Sequence, residues 1–157
     1  MKPARPSGRH RSREFAVQAL YQWQIAGQEM PALLAQYAEA ENFDKADAPF
    51  FTALLKGAVA HADATRAAVA PHLDRPWGEM SPVERAVLLL AGFELAELAD
   101  VPYKVVINEA IELAKSYGGT DGHKYVNGVL DKLAATLRGA EIAHGGGRAA
   151  KQARGTT

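Results

Sequence analysis

From Ala86 to Phe93 the chain runs eight residues without a charge, one residue after Ser81-Pro82-Val83-Glu84. The serine is a helix N-cap, the proline suits the first helical position, and a glutamate at the third completes a capping box. A helix that starts so firmly and is apolar nearly all round has no face to give to water. It is stable only with other helices packed about it, so it belongs at the centre of a bundle.

The neighbours of that helix read as amphipathic rods. In Pro102 to Leu133, Tyr103, Ile107, Ala110, Ile111 and Ala114 share one helical face, and Gly118 with Gly119 marks a stop through positive φ. Thr120-Asp121 can cap a second helix with a stripe of Val126, Val129, Leu130, Leu133, Ala134 and Leu137. Toward the N-terminus, about Arg9 to Ala26 reads as a helix with Ala16, Ala19, Leu20 and Trp23 inward and Gly27 as terminator. Arg9, Arg13, Val17 and Tyr21 follow at spacings of four on a second, partly exposed strip. Pro31 opens a short helix through Leu33, Leu34 and Tyr37, and Pro49 a longer one with Phe50, Leu54 and either Phe51 or Leu55 inward. Gly57 and Ala58 allow close helix approach, and a break near Asp63 is compatible with the alanine-rich run that follows. Strand signals are essentially absent.

An all-α fold of about seven helices is therefore expected. Its parts are a flexible basic arm over 1–8, a helical subdomain over 9–73, a linker over 74–80, a second helical subdomain over 81–138 and a disordered basic tail over 139–157. At 157 residues such a chain can bury a real core. No apolar run reaches bilayer length and the basic start lacks a signal-peptide core, so no membrane association and a cytoplasmic location are expected. Cysteine is absent, which removes disulfides, thiolate nucleophiles and zinc–cysteine sites.

Catalytic constellations fail when sought. The five histidines are scattered, and Glu94/Glu97 and Glu109/Glu112 form E-x-x-E pairs without a Glu-x-x-His partner, so they read as solvated helix faces. Gly118 to Lys124 superficially matches a phosphate loop, but it lacks Gly-Lys-Ser/Thr and follows a helix. No enzyme activity, metal or cofactor is expected.

The surviving signal is electrostatic. The formal charge of zero hides a segregation: Lys2, Arg5, Arg9, Arg11 and Arg13 give the first thirteen residues +5, while residues 14–137 hold nine basic and seventeen acidic residues, for −8. A cationic arm joined to a helix bearing Tyr21 offers phosphate contacts and a ring on which a base stacks. Tyr125, off the stripe of its helix and beside Lys124, offers a second ring. Asn127, Gln18 and Gln22 are candidate readers of base edges.

The blocks Arg13 to Gln24 (REFAVQALYQWQ), Val83 to Leu88 (VERAVL), Phe93 to Leu95 (FEL), Asp100 to Lys115 (DVPYKVVINEAIELAK) and His123 to Lys132 (HKYVNGVLDK) together resemble the NusB family of transcription antitermination factors. The resemblance runs from about Lys2 to Leu137. It implies two roughly perpendicular three-helix bundles without enzymatic activity. The implied ligand is the single-stranded boxA element of ribosomal RNA leader transcripts, bound together with NusE, a ribosomal protein that also acts in transcription. The pair would load into the RNA polymerase elongation complex with the other Nus factors. By position, Arg9, Arg11 and Arg13 match the family's arginine-rich motif, and Lys2 and Arg5 extend it. Tyr21 matches its helix-borne aromatic, Tyr125 stands where relatives commonly have phenylalanine, and Asp121 stands just before it at the helix start, near the expected RNA path; Lys124 and Asn127, beside that ring in sequence, complete the candidate RNA-binding set. Gly122 replaces a common serine, and Glu84, at the start of the central helix, is the candidate contact for NusE. The same fold resembles the targeting domain of some rRNA cytosine methyltransferases, but the 157 residues contain no Rossmann-like half. A further alternative is a structural or oligomerising module whose exposed strips form a homodimer.

Overall fold

The computed structural model describes residues 6–119 and 121–144, with side chains from residue 8 onward. Its helices are α1 (Pro6–Ala26), α2 (Met30–Ala38), α3 (Ala48–Ala60), α4 (Ala62–Val69), α5 (Pro82–Glu97), α6 (Tyr103–Tyr117) and α7 (Gly122–Leu137). A last helical turn covers 139–144, and no strand occurs among the described residues.

The capped helix is the axis of the fold. Ser81 Oγ accepts from the Glu84 amide at 3.1 Å, and Ala86 to Leu95 are buried without interruption. Around it pack α1, α3, α4, α6 and α7, so residues on both sides of the 74–80 segment share one continuous hydrophobic core. Two contacts are close enough to require glycine. A Cβ on Gly57 would stand 2.0 Å from Phe93 Cζ, and one on Gly92 would stand 2.4 Å from Thr65 Cγ2. Phe15, Tyr37, Phe43 and Phe51 close the outer end of α1 and α3 as a tilted and edge-to-face ring cluster.

Several local expectations are corrected. The N-terminal helix begins at Pro6, inside the expected arm, because proline is tolerated in a first helical turn. Gly27 ends it at φ 65°, as the terminator reading requires. On α3, Phe50, Phe51, Leu54 and Leu55 are all buried, and the chain breaks before α4 at His61, slightly ahead of Asp63. Gly118 ends α6 in an extended conformation (φ −99°) rather than at positive φ; glycine is needed because a Cβ would meet the Ala114 carbonyl oxygen at 2.6 Å. Asp121 makes no side-chain cap for α7, and Thr120 lies outside the described residues. Leu137 leaves the expected stripe and is exposed.

The largest correction concerns charge inside the core. Arg13 is 3% exposed and Glu94 1%, and they pair in two parallel bonds, Nε to Oε2 and Nη2 to Oε1, each 2.9 Å. Neither the partly exposed strip expected for Arg13 nor the solvated face expected for Glu94 survives, because α5 lies against that side of α1. Arg138, placed at the disordered boundary from sequence, is also buried. It donates to the carbonyls of Glu94, Leu95 and Leu98 at the C-terminal end of α5 and pairs with Glu141. Ordered helix thus continues past 138, with Ile142 packed on the core.

Candidate nucleic-acid interface

Helix α1 distributes its cations unevenly. Arg9 projects to solvent, its guanidinium 4.0 Å above the Phe50 ring and 3.9 Å from Asp47 Oδ2. Arg11 is likewise accessible, 3.7 Å from Glu14. Between them His10 bonds Glu109 at 2.7 Å, and Glu109 stands 3.8 Å from Arg13. Only Arg9 and Arg11 of the described arginines on α1 are placed to meet a phosphate. Arg13 leaves that set, and Lys2 and Arg5 lie outside the described residues.

Tyr21, twelve residues beyond Arg9 and therefore about 18 Å along the helix axis, is 42% exposed at the edge of a groove of about 580 Å³. Val17, Gln22 and Ile25 of α1, Val83 of α5 and Tyr117 of α6 form its walls. Its polar groups are ordered: Gln18 Nε2 donates to Tyr117 Oη at 3.0 Å, and Tyr37 Oη donates to Gln22 Oε1 at 3.0 Å. Gln22 is further engaged with Gln28 and Gln36. Burial raises the Tyr37 and Tyr117 hydroxyls above their ordinary pKa, so both stay protonated and keep a hydrogen to donate. Tyr117 and Val83 were not singled out from sequence. Tyr117 continues the α6 stripe into its last turn, three residues past Ala114, so periodicity alone reads it as core.

The start of α7 borders the same junction. Val83 lies 3.8 Å from where a Gly118 Cβ would stand, and Glu84 Oε2 lies 2.7 Å from the corresponding point on Gly122. Glu84, assigned to a protein partner, therefore sits between the Tyr21 groove and the Asp121/Lys124 pair instead of on a separate face. Asp121 and Lys124 are exposed, 3.5 Å apart. Tyr125 is less free than its sequence position suggests: its hydroxyl accepts from the Asp74 amide at 3.0 Å and Arg75 covers its ring at 4.4 Å. Burial raises the Tyr125 pKa, and the hydrogen bond from Arg75 lowers that of Asp74. Asn127 is half-buried on α7. Tyr21, Glu84, Asp121 and Lys124 are thus brought to one junction of α1, α5, α6 and α7, whereas Arg9 and Arg11 occupy the far end of α1.

Such an arrangement can bind a single strand by stacking and charge, and supplies no nucleophile with its base. Among the described residues no three His, Asp or Glu side chains cluster as metal ligands.

Comparison with known proteins follows the same direction. The NusB family profile matches residues 10–135. The transcription antitermination protein NusB of Paraburkholderia phytofirmans is 58% identical over 84% of this chain and 92% of its own length, and that of Dechloromonas aromatica 51% over 87% and 84%. Among solved structures, Thermotoga maritima NusB superposes with a TM-score of 0.74 at 31% identity, covering 85% of this chain and 92% of the other. A crystal structure of antitermination factors NusB and NusE in complex with double-stranded RNA matches with a TM-score of 0.73 at 25% identity, covering 84% and 99%.

Proposed function

The chain belongs to the NusB family, and from that membership we propose that it is an RNA-binding transcription antitermination factor. With NusE it recognises the single-stranded boxA element of rRNA leader transcripts and enters the RNA polymerase elongation complex with the other Nus factors. The observation that carries the reading is the near-full-length relationship to curated antitermination proteins, joined to a shared fold with a NusB solved together with NusE and RNA.

Physical chemistry supports the division of labour. Arg9 and Arg11, with Lys2 and Arg5 of the adjoining arm, supply about four phosphate contacts, for a slope of log K against log salt near −3 at ~0.7 per phosphate of a single strand. Tyr21 supplies a stacking face, and Lys124 with Asp121 and Asn127 flanks the strand at the start of α7. Tyr125 presents only the part of its ring that Arg75 leaves uncovered. Glu84 meets NusE at the edge of the RNA path. The protein performs no catalytic step. No helix among the described residues is long and apolar enough to cross a membrane, and the reading places it in the cytoplasm beside RNA polymerase.

The test is fluorescence anisotropy of labelled boxA RNA against a scrambled strand, over a salt series, with and without NusE. Preference for boxA that tightens with NusE is expected, and Tyr21→Ala should cost ~1–3 kcal/mol of RNA affinity with unchanged helical circular dichroism. Equal weak binding of both RNAs, even with NusE, would overturn the reading in favour of a structural module, with Tyr21, Ile25 and Tyr117 as the seam of a homodimer detectable by light scattering. Glu84→Lys with undiminished NusE affinity would move the partner surface elsewhere.

A further inference from the structure

We propose that the cleft between α1, α4 and α5, on the other side of the α1 C-terminus from Tyr21, is a second nucleotide site. It takes the base and phosphate of a single-stranded RNA residue flanking the segment at Tyr21, and so rests on the RNA-binding reading above.

The cleft measures about 530 Å³ and holds both tryptophans of the chain, Trp23 and Trp77, together with Arg66, Arg85 and Asp63. Of the three arginines in the body of net −8, Arg75 pairs with Asp74, whereas Arg66 and Arg85 are in no ion pair among the described residues. Arg66, exposed on α4, stands 5.5 Å from the Trp77 ring centre. Arg85 is half-buried and is held by neutral acceptors alone: its Nε donates to Gln24 Oε1 at 2.8 Å and its Nη1 to the carbonyls of Gly78 and Met80. A desolvated cation satisfied only by neutral groups retains its attraction for an anion. Two indoles beside two guanidiniums match a nucleotide, with rings for the base and cations for the phosphate. Asp63 on the rim leaves the cleft a net charge of +1, enough for one phosphate and unsuited to a polyacid.

Position links the two sites. Gln24 Nε2 donates to the Pro82 carbonyl at 3.0 Å, and this contact is the ridge between them. Ile25 and Val83 face the Tyr21 groove, while Trp23 and Arg85, their near neighbours in sequence, face the cleft. A strand leaving Tyr21 across that ridge arrives between the tryptophans.

Because Trp23 and Trp77 are the only tryptophans, their emission reports on this cleft without a label. The full chain is titrated with boxA RNA and with boxA extended by several nucleotides at either end, reading anisotropy and tryptophan emission together. The extended RNA should quench the emission and bind more tightly, by roughly 5- to 100-fold for one stacked base. Arg66→Glu, on an exposed site, should remove that increment and lower the salt slope by about 0.7, and Asp63→Asn should strengthen it. RNA binding by anisotropy with no change in emission and no gain from extension overturns the second site while leaving the antitermination reading intact. Failure of every RNA in anisotropy overturns both. A polyglutamate peptide that quenches as strongly as RNA shows the cleft to be a peptide site and overturns the nucleotide assignment.

Discussion

Removing Arg13 should destabilise this protein while leaving the RNA affinity of the folded chain largely intact. The guanidinium and the Glu94 carboxylate are 4% and 2% exposed and face each other in two 2.9 Å bonds, so neither has water to fall back on. Arg13→Ala deletes one partner and leaves the other charged and buried, which costs about 3–5 kcal/mol. Against a total stability of about 5–15 kcal/mol for a domain, that is a large fraction. At roughly 2–4 °C per kcal/mol for a chain of this size, the melting temperature should fall by about 6–20 °C. Arg13→Lys should recover little, since a lysine cannot span both carboxylate oxygens. Arg13→Met with Glu94→Leu should recover most of the loss, because removing both charges removes the desolvation problem along with the pairing. Urea denaturation gives the midpoint and its slope for each variant, and anisotropy on the folded fraction gives RNA affinity. A normal midpoint in Arg13→Ala together with weakened RNA binding would refute the packing argument and return Arg13 to the RNA surface.

Arg9→Ala and Arg11→Ala should each reduce the magnitude of the RNA salt slope by about 0.7, measured by anisotropy, while stability changes by less than about 1 kcal/mol, since Arg9 loses an exposed cation–π contact and an exposed ion pair with Asp47, and Arg11 an exposed ion pair with Glu14. Gly57→Ala would drive a Cβ to 2.0 Å from Phe93 Cζ and should cost about 1–3 kcal/mol in urea denaturation, partly restored by Phe93→Leu; Gly122→Ala, which meets only the movable Glu84 carboxylate, should be close to neutral. Burial, and then Tyr117, raise the Tyr37 pKa, so the folded state holds that proton more tightly than the unfolded chain does. Stability should therefore decline as pH climbs from the ordinary tyrosine value of about 10 through the raised one, and Tyr37→Phe should flatten that decline in urea midpoints taken across about pH 9 to 11.

Sequence determined the helices and the place of the central one, because those depend on rules that act within a few residues. Ser81 caps α5 from three residues away, Gly27 stops α1 with its own positive φ, and an uncharged run has only one place to go. The candidate cations and Tyr21 were legible for the same reason, since a basic arm and an off-stripe ring on an amphipathic helix announce themselves in spacing. Tertiary structure alone decided which of those residues a ligand can reach. Arg9 and Arg13 are one turn apart and look equivalent on a helical strip, yet one lies over Phe50 in solvent and the other is locked to Glu94, 81 residues away. Glu84 likewise comes beside the start of α7 only because Gly122 packs against it, and Trp23 and Trp77 share a cleft only because α1 ends where the 74–80 segment crosses. Burial of a side chain is a property of what packs on its face, and local periodicity fixes the faces of each helix but not which partner covers them.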